Sequence, residues 1–278
     1  MEWVRYRRLA DRPVEAMQAH FERHVYHRHT HETYSFGLTE FGAQSFDCRG
    51  ESRTSAAGMV MAFNPDEPHD GRSAAEQGFT YRIVHLGPEL IADLLSDKTA
   101  RPTGLPLFAE PVLYDAELAR ALGLLHTRIC TDAGTLARDE ALAGTVAALV
   151  RRGARGAPLE SSAAQLTHRA EATAARRARA LLDELYLDDL TAQDLAAAAG
   201  CSRFALFRAF KAAYGLAPSD YQRQLRLRAA RRLIAAGHSL ADAAARSGFT
   251  DQAHLTRWFR RCYGITPGTY RGVAGRAI

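Results

Sequence analysis

The stretch Gly200-Cys201-Ser202-Arg203-Phe204-Ala205-Leu206-Phe207-Arg208-Ala209-Phe210-Lys211, closed by Tyr214-Gly215 and Pro218, decides how the back of this chain folds. Gly200 can take the positive φ of a tight inter-helix turn, and Ser202 offers a side-chain oxygen to the first free amides of a helix. Leu206 and Phe210, four residues apart, share the inward face of that helix, and Gly215 with Pro218 ends it. Leu190, Leu195 and the alanines between them and Gly200 predict a shorter helix before the turn. The pattern is a helix-turn-helix.

It occurs twice, with a period near 49 residues. Phe210, Lys211, Tyr214, Gly215, Pro218 and Tyr221 align with Phe259, Arg260, Tyr263, Gly264, Pro267 and Tyr270. Gly200 pairs with Gly248 one residue out of step, a slip that belongs in a turn. In the second copy Asp251 is the predicted cap, and Leu255 and Phe259 are the inward pair. Burying those pairs leaves Arg203, Phe204, Phe207 and Arg208 outward in the first copy. Gln252, Ala253, His254, Thr256 and Arg257 are left outward in the second. Arginine can pair with guanine and glutamine with adenine in the major groove, and apolar groups can meet the thymine methyl. These nine residues are the candidate DNA-reading positions. Between the copies, Leu225, Ala229, Leu233 and Ile234 predict one apolar side of a connecting helix that Arg223, Arg226, Arg228, Arg231 and Arg232 crowd elsewhere. Such a helix would hold two reading heads at a fixed spacing, ideally near one turn of the duplex, roughly 34 Å.

Charge follows the same division. Before Gln165 there are 18 Lys/Arg against 22 Asp/Glu, and from Gln165 onward 18 against 9. A compact basic segment suits a polyanion, because each cation set against a phosphate releases condensed counterions. Cys48, Cys130, Cys201 and Cys262 are far apart with no CxxC pair, which argues against a zinc ribbon and a disulfide framework. No run approaches the roughly 18 apolar residues of a membrane span, and the start lacks a signal peptide's apolar core. The expected location is the cytoplasm, with no membrane partner.

Further forward, Gly153-Ala154-Arg155-Gly156-Ala157-Pro158 with Ser161 and Ser162 predicts a linker. The expected organisation is a front domain over 1–152, a linker over 153–170 and an all-α back domain over 171–278. In the front, Tyr34, Phe36 and Leu38 alternate with smaller residues, as do Phe79, Tyr81, Ile83 and His85. With turn signals at Asn64-Pro65-Asp66 and Asp70-Gly71, this predicts a small antiparallel barrel or sandwich over about Phe21 to Leu86. Two helices are expected after it, about Asp115 to Cys130 and Arg138 to Arg152. Leu118, Leu122 and Leu125 form an apolar stripe on the first, suited to its own domain or to a dimer contact.

From about Arg177 to Gly272 the chain closely resembles the AraC/XylS family of transcription regulators. Cys201 to Lys211, Gly248-Phe249-Thr250-Asp251-Gln252 through Phe259, Tyr263-Gly264-Ile265-Thr266-Pro267 and Tyr270-Arg271 carry the match. The front resembles that family's cupin-like effector domain through His29-x-His31-Glu32, Gly42, Gly58, Asn64-Pro65-x-x-x-His69-x-Gly71 and Gly78 to Arg82. The resemblance implies a two-domain α+β protein, a cupin-like β-barrel with following helices and then a tandem helix-turn-helix. It implies double-stranded DNA, a small-molecule effector, a homodimer and RNA polymerase as partners. Ala253, at one reading position, departs from relatives, so a sequence preference does not carry over.

His29, His31, Tyr34, Phe36, His69, Tyr81 and His85 are the expected inward residues of the effector pocket. His29, His31 and His69 are also a candidate metal set, since an HxH pair and a distant histidine can surround one ion. The carboxylate of a cupin metal motif is missing: Ser35 and Phe36 stand where it is expected, and alternation sends Glu32 to the other face. The expectation is therefore a polar effector pocket, no catalytic residue and no cofactor. A metal-binding enzyme domain fused to a DNA-binding module, and a DNA binder without an effector, are the alternatives.

Overall fold

The computed structural model describes residues 1–96, 105–131, 134–155 and 165–274. Half of the expected linker, 156–164, lies outside the described residues, and the rest is not a linker: 153–155 are the end of a helix and a short strand, and 165–170 begin the next helix. The chain divides into two compact units, the first up to residue 158 and the second over 159–271. Among the described residues no helix is long and apolar enough to cross a membrane.

The first unit is built from β1 (Trp3–Arg8), β2 (Val14–Phe21), β3 (Tyr26–His29), β4 (Tyr34–Cys48), β5 (Glu51–Ala56), β6 (Val60–Phe63), β7 (His69–Ser73) and β8 (Phe79–Leu86). Then come α1 (Pro88–Ser96), β9 (Leu107–Phe108), β10 (Val112–Leu113), α2 (Ala116–Cys130), α3 (Thr135–Gly153) and β11 (Ala154–Arg155). All pairing is antiparallel. The 15-residue β4 serves two sheets: its start pairs with β6 and β8, its end with β5 and β7. A register shift between Thr39 and Phe41, next to Gly42 at φ 67°, bends the strand between them. A Cβ on Gly42 would stand 2.1 Å from the Gly78 carbonyl oxygen, so this bend takes only glycine. The two sheets face each other, with Tyr26 of β3 bonded to Tyr81 of β8 and Phe46 of β4 against Phe63 of β6.

Register decides which residues point between the sheets. Ser35 pairs with His85 and with Phe63, and Gly37 with Ile83 and Met61, so this set shares one face. Tyr34, Phe36 and Leu38 pair with Leu86, Val84 and Arg82 and share the other. On that outer face Tyr34, Phe36, Val60, Ala62, Val84 and Leu86 form one core with Leu118, Leu122, Leu125 and Ile129 of α2 and Val146 and Leu149 of α3. The leucine stripe of α2 thus packs within its own domain. Asp115 caps α2 by accepting from the Glu117 and Leu118 amides. α3 begins three residues before the expected Arg138, and β1, β2 and α1 were not anticipated.

His126, also on α2, is buried, with its Nε2 3.1 Å from the Met17 carbonyl oxygen and 3.7 Å from the Cys130 Sγ. Burial, helped by the Arg82 cation, pulls its pKa down to about 4 from an ordinary 6.5. Between those values the unfolded chain holds a proton that the native domain does not. Stability from this group is therefore complete above about pH 6.5 and is lost as pH falls towards 4. Denaturant titrations of the full chain across pH 4–7 should show the N-terminal transition weakening with acid. His126→Gln should make that slope shallower, and an unchanged slope would remove His126 from the account.

The second unit is helical: α4 (Gln165–Leu185), α5 (Ala192–Ala199), α6 (Arg203–Tyr214), α7 (Pro218–Ala235), α8 (Leu240–Arg246), α9 (Gln252–Tyr263) and α10 (Pro267–Ala274). Thr191 and Asp194 form a reciprocal capping box at α5, which Gly200 ends at φ 68°. α4, α5 and α6 enclose a core of Ala178, Leu182, Leu195, Ala199, Leu206 and Phe210. In the other half Leu227, Ile234, Ala244, Leu255, Phe259 and Tyr270 are buried.

The structure makes the connecting helix part of the repeat. Arg177 of α4 and Arg226 of α7, again 49 residues apart, lie beneath the two turn glycines. The Arg177 Nη1 is 3.6 Å from where a Gly200 Cβ would be, and the Arg226 Nε 2.9 Å from that of Gly248. Arg179 stacks on Tyr214 and Tyr221, as Arg231 does on Tyr263 and Tyr270. Each unit therefore has three helices, and α7 is the supporting helix of the second.

Candidate DNA-reading helices and histidine pocket

Each candidate reading helix starts at the cap the sequence predicts. The Ser202 Oγ accepts from the Ala205 amide, and an Asp251 Oδ from the His254 amide. Leu206, Phe210, Leu255 and Phe259 are fully buried, which turns the opposite faces outward. Arg203, Phe207 and Arg208 are exposed on α6, and Gln252, Ala253 and Arg257 on α9. His254 and Thr256 are partly buried. His254 rests on Phe249, with its Nδ1 3.3 Å from the Thr250 Oγ1. The Phe204 side chain lies outside the described residues. Phe207, 43% exposed, is a large apolar side chain left in water in the second turn of α6.

The second arrangement lies between the sheets of the first unit. His29 of β3 and His69 of β7 are cross-strand partners, with ring centroids 4.6 Å apart. His31, just past β3, sits 4.7 Å from His29 and 4.7 Å from His85 of β8. The turn at Asn64 to Pro68 sets two of these rings. The Asp66 amide donates to the His31 carbonyl oxygen, and the Glu67 carbonyl oxygen accepts from the His69 Nδ1. Glu67 closes this turn by accepting from the Asn64 amide and side chain and by pairing with Arg49. Phe63 stacks on His69 at 3.9 Å, and the Ser35 hydroxyl is 2.8 Å from the His85 Nδ1. Burial holds His29 well below the ordinary histidine range, and His69 at about 4, so both rings are neutral at pH 7.

The expected pocket residues separate into two groups. His29, His31, His69, Tyr81 and His85 come together between the sheets. Tyr34 and Phe36 do not: they pack on the helix-facing core, because their strand meets β8 in a register that puts them with Val84 and Leu86. Tyr26, Ser35 and Phe63 belong to the inner group and were missed. Ser35 and Phe63 follow once the register is known, and Tyr26 lies on the same short strand as His29.

Comparison with known proteins places both arrangements. The AraC-like ligand binding domain model matches residues 13–149, and a helix-turn-helix domain model matches 195–272. The chain is 27% identical over 227 residues to the uncharacterized HTH-type transcriptional regulator YbfI of Bacillus subtilis, covering 82% of this chain and 80% of that one. It is 40% identical over 114 residues to the transcriptional activator NphR of Rhodococcus, covering 41% and 33%. Its fold is similar to that of ToxT from Vibrio cholerae in an unsaturated fatty acid-bound crystal structure. There the TM-score is 0.53 and the identity 11%, over 98% of this chain and 95% of that one. With a ligand-binding domain in front and a helix-turn-helix domain behind, the chain belongs to the AraC family of transcription regulators.

Proposed function

We propose that this regulator reads a specific DNA sequence with the exposed faces of α6 and α9, under the control of a small molecule held between the sheets of its N-terminal domain. The observation that carries the reading is the repetition itself. Two capped helices 49 residues apart bury the same pair of positions and expose Arg203 and Arg208 on one, Gln252 and Arg257 on the other. The buried leucine and phenylalanine of each helix fix which face turns outward, and Arg and Gln on that face can make bidentate base contacts. The proposal divides the chain at the linker expected over 153–170 and includes the homodimer and the RNA polymerase contact that the family resemblance implies.

The buried imidazoles support the effector part. Burying polar rings costs free energy that a folded protein recovers through hydrogen bonds or a ligand. The fatty acid of the ToxT structure is that protein's ligand. Here His29, His31, His69 and His85 favour a polar one.

A gel shift with promoter fragments from genes flanking its own tests the DNA reading. Wild-type protein should bind one fragment in a salt-sensitive, competitor-resistant way. Arg208→Ala and Arg257→Ala should each cost about 1–3 kcal/mol and relax base preference at one position. Wild-type behaviour from both variants would sink the assignment of these helices.

A further inference from the structure

We propose that His29, His31 and His69 form a binding site for one divalent first-row metal ion of the zinc, nickel and copper group, and that this ion is part of what the N-terminal domain senses. The proposal rests on reading that domain as the sensing module, and it deepens that reading by naming a ligand class. One ligand atom from each histidine lies within 4.8 Å of the other two. The His29 Nδ1 is 2.7 Å from the His27 carbonyl oxygen and the His69 Nδ1 2.9 Å from that of Glu67. A carbonyl oxygen only accepts, so both Nδ1 atoms carry the hydrogen and both Nε2 atoms carry a lone pair. A backbone carbonyl behind each ring is the outer-shell support that metal-binding histidines use to fix tautomer and orientation.

The spacing of the first two histidines suits an ion. A tetrahedral metal with nitrogens at about 2.0–2.1 Å separates those nitrogens by about 3.3 Å. The Nε2 atoms of His29 and His31 are 3.1 Å apart. Without an ion, that pair is a single hydrogen bond, donated by His31 to the lone pair of His29. With one, His31 carries its hydrogen on Nδ1 instead, and its Nε2 joins those of His29 and His69 in turning a lone pair to the same point. His69 stays braced against Phe63, and His29 beside Tyr26. No carboxylate joins the set, because Glu67 is engaged by Arg49 and Asn64 and Glu32 is exposed. Three imidazoles select the borderline transition ions over magnesium or calcium and leave a coordination position open for a small molecule.

The test uses the full chain, stripped with chelator and desalted. Titration with Zn²⁺ by calorimetry, and metal analysis after gel filtration, should give one tightly held equivalent per chain. His29→Gln, His31→Gln and His69→Gln should each weaken it by about a hundredfold or more, beyond the usual cost of losing an outer-shell partner. His238→Gln, in the other unit, should leave it unchanged. Because a buried histidine variant can fail to fold, the wild-type chain loaded with Cu²⁺ gives a second readout. Its electron paramagnetic resonance spectrum should show coupling to three imidazole nitrogens. Sub-stoichiometric metal, affinity that survives the substitutions, or a copper spectrum without nitrogen coupling would overturn the site. A chain that shifts promoter DNA and takes up no metal loses the metal site but keeps the regulator reading. One that loads metal at these histidines and never shifts DNA keeps the site and loses that reading.

Discussion

Arg226→Met should destabilise the C-terminal unit by on the order of 3 kcal/mol and weaken DNA binding at both reading helices together. Arg226 looks like one more cation on a basic helix, but its guanidinium faces inward. Nε donates to the Tyr186 carbonyl oxygen at 2.8 Å, Nη1 to that of Gly248 at 3.0 Å, and Nη2 to those of Leu187 and Asp188. Gln222 also serves Tyr186 and Asp188, so those two keep a donor in the variant. Gly248 and Leu187 lose theirs. Methionine preserves most of the side chain's length while removing every donor, which isolates hydrogen bonding from packing. One side chain ties the segment after α4 to the turn before α9, so its loss loosens the junction between the two units rather than one head. Arg177→Met, at the equivalent but exposed position, should cost less than about 1 kcal/mol. Thermal melts and gel shifts of the two variants check the contrast, and equal effects would show that Arg226 is only a surface charge.

That contrast marks where sequence reasoning reached and where it stopped. Local chemistry was legible. Ser202, Asp251, Gly215 and Gly264 each act within a few residues of themselves, and the helices start and stop where these residues require. Long-range pairing was not. Alternation in Tyr34-Ser35-Phe36 and in Tyr81-Arg82-Ile83 shows that each strand has two faces, yet says nothing about which face of one strand joins which face of the next. A shift of one residue exchanges them. Tyr34 and Phe36 were therefore grouped with Tyr81 and His85, although the register sets Ser35 opposite His85. The histidines were easier to place, because the alternation of a strand keeps His29 and His31 on one side whatever strand they pair with. Arg226 was grouped with the other arginines of its helix for a similar reason: its carbonyl partners are about 40 and 22 residues away.

Phe259→Ala should cost about 3–5 kcal/mol and abolish specific DNA binding while leaving the first reading unit folded. The Phe259 ring is fully buried, 4.8 Å from Tyr263 and 5.6 Å from Tyr270 by centroid, and it anchors the inward face of α9. Its counterpart Phe210 does the same between Tyr214 and Tyr221. The core around Phe210 draws on α4, α5 and α6, with no buried member from α8 or α9. Removing Phe259 should therefore melt α8 and α9 without emptying the other core. Hydrogen exchange should show amides of α9 losing protection while those of α6 keep theirs, and Phe210→Ala should give the reverse. If specific recognition needs both heads, either variant falls about a thousandfold or more towards non-specific affinity and keeps its salt dependence. If one head dominates, only one of the two variants loses specificity. Simultaneous loss of protection in α6 and α9 from either substitution would show instead that α7 makes the two cores a single cooperative unit, since it packs against both α4 and α9.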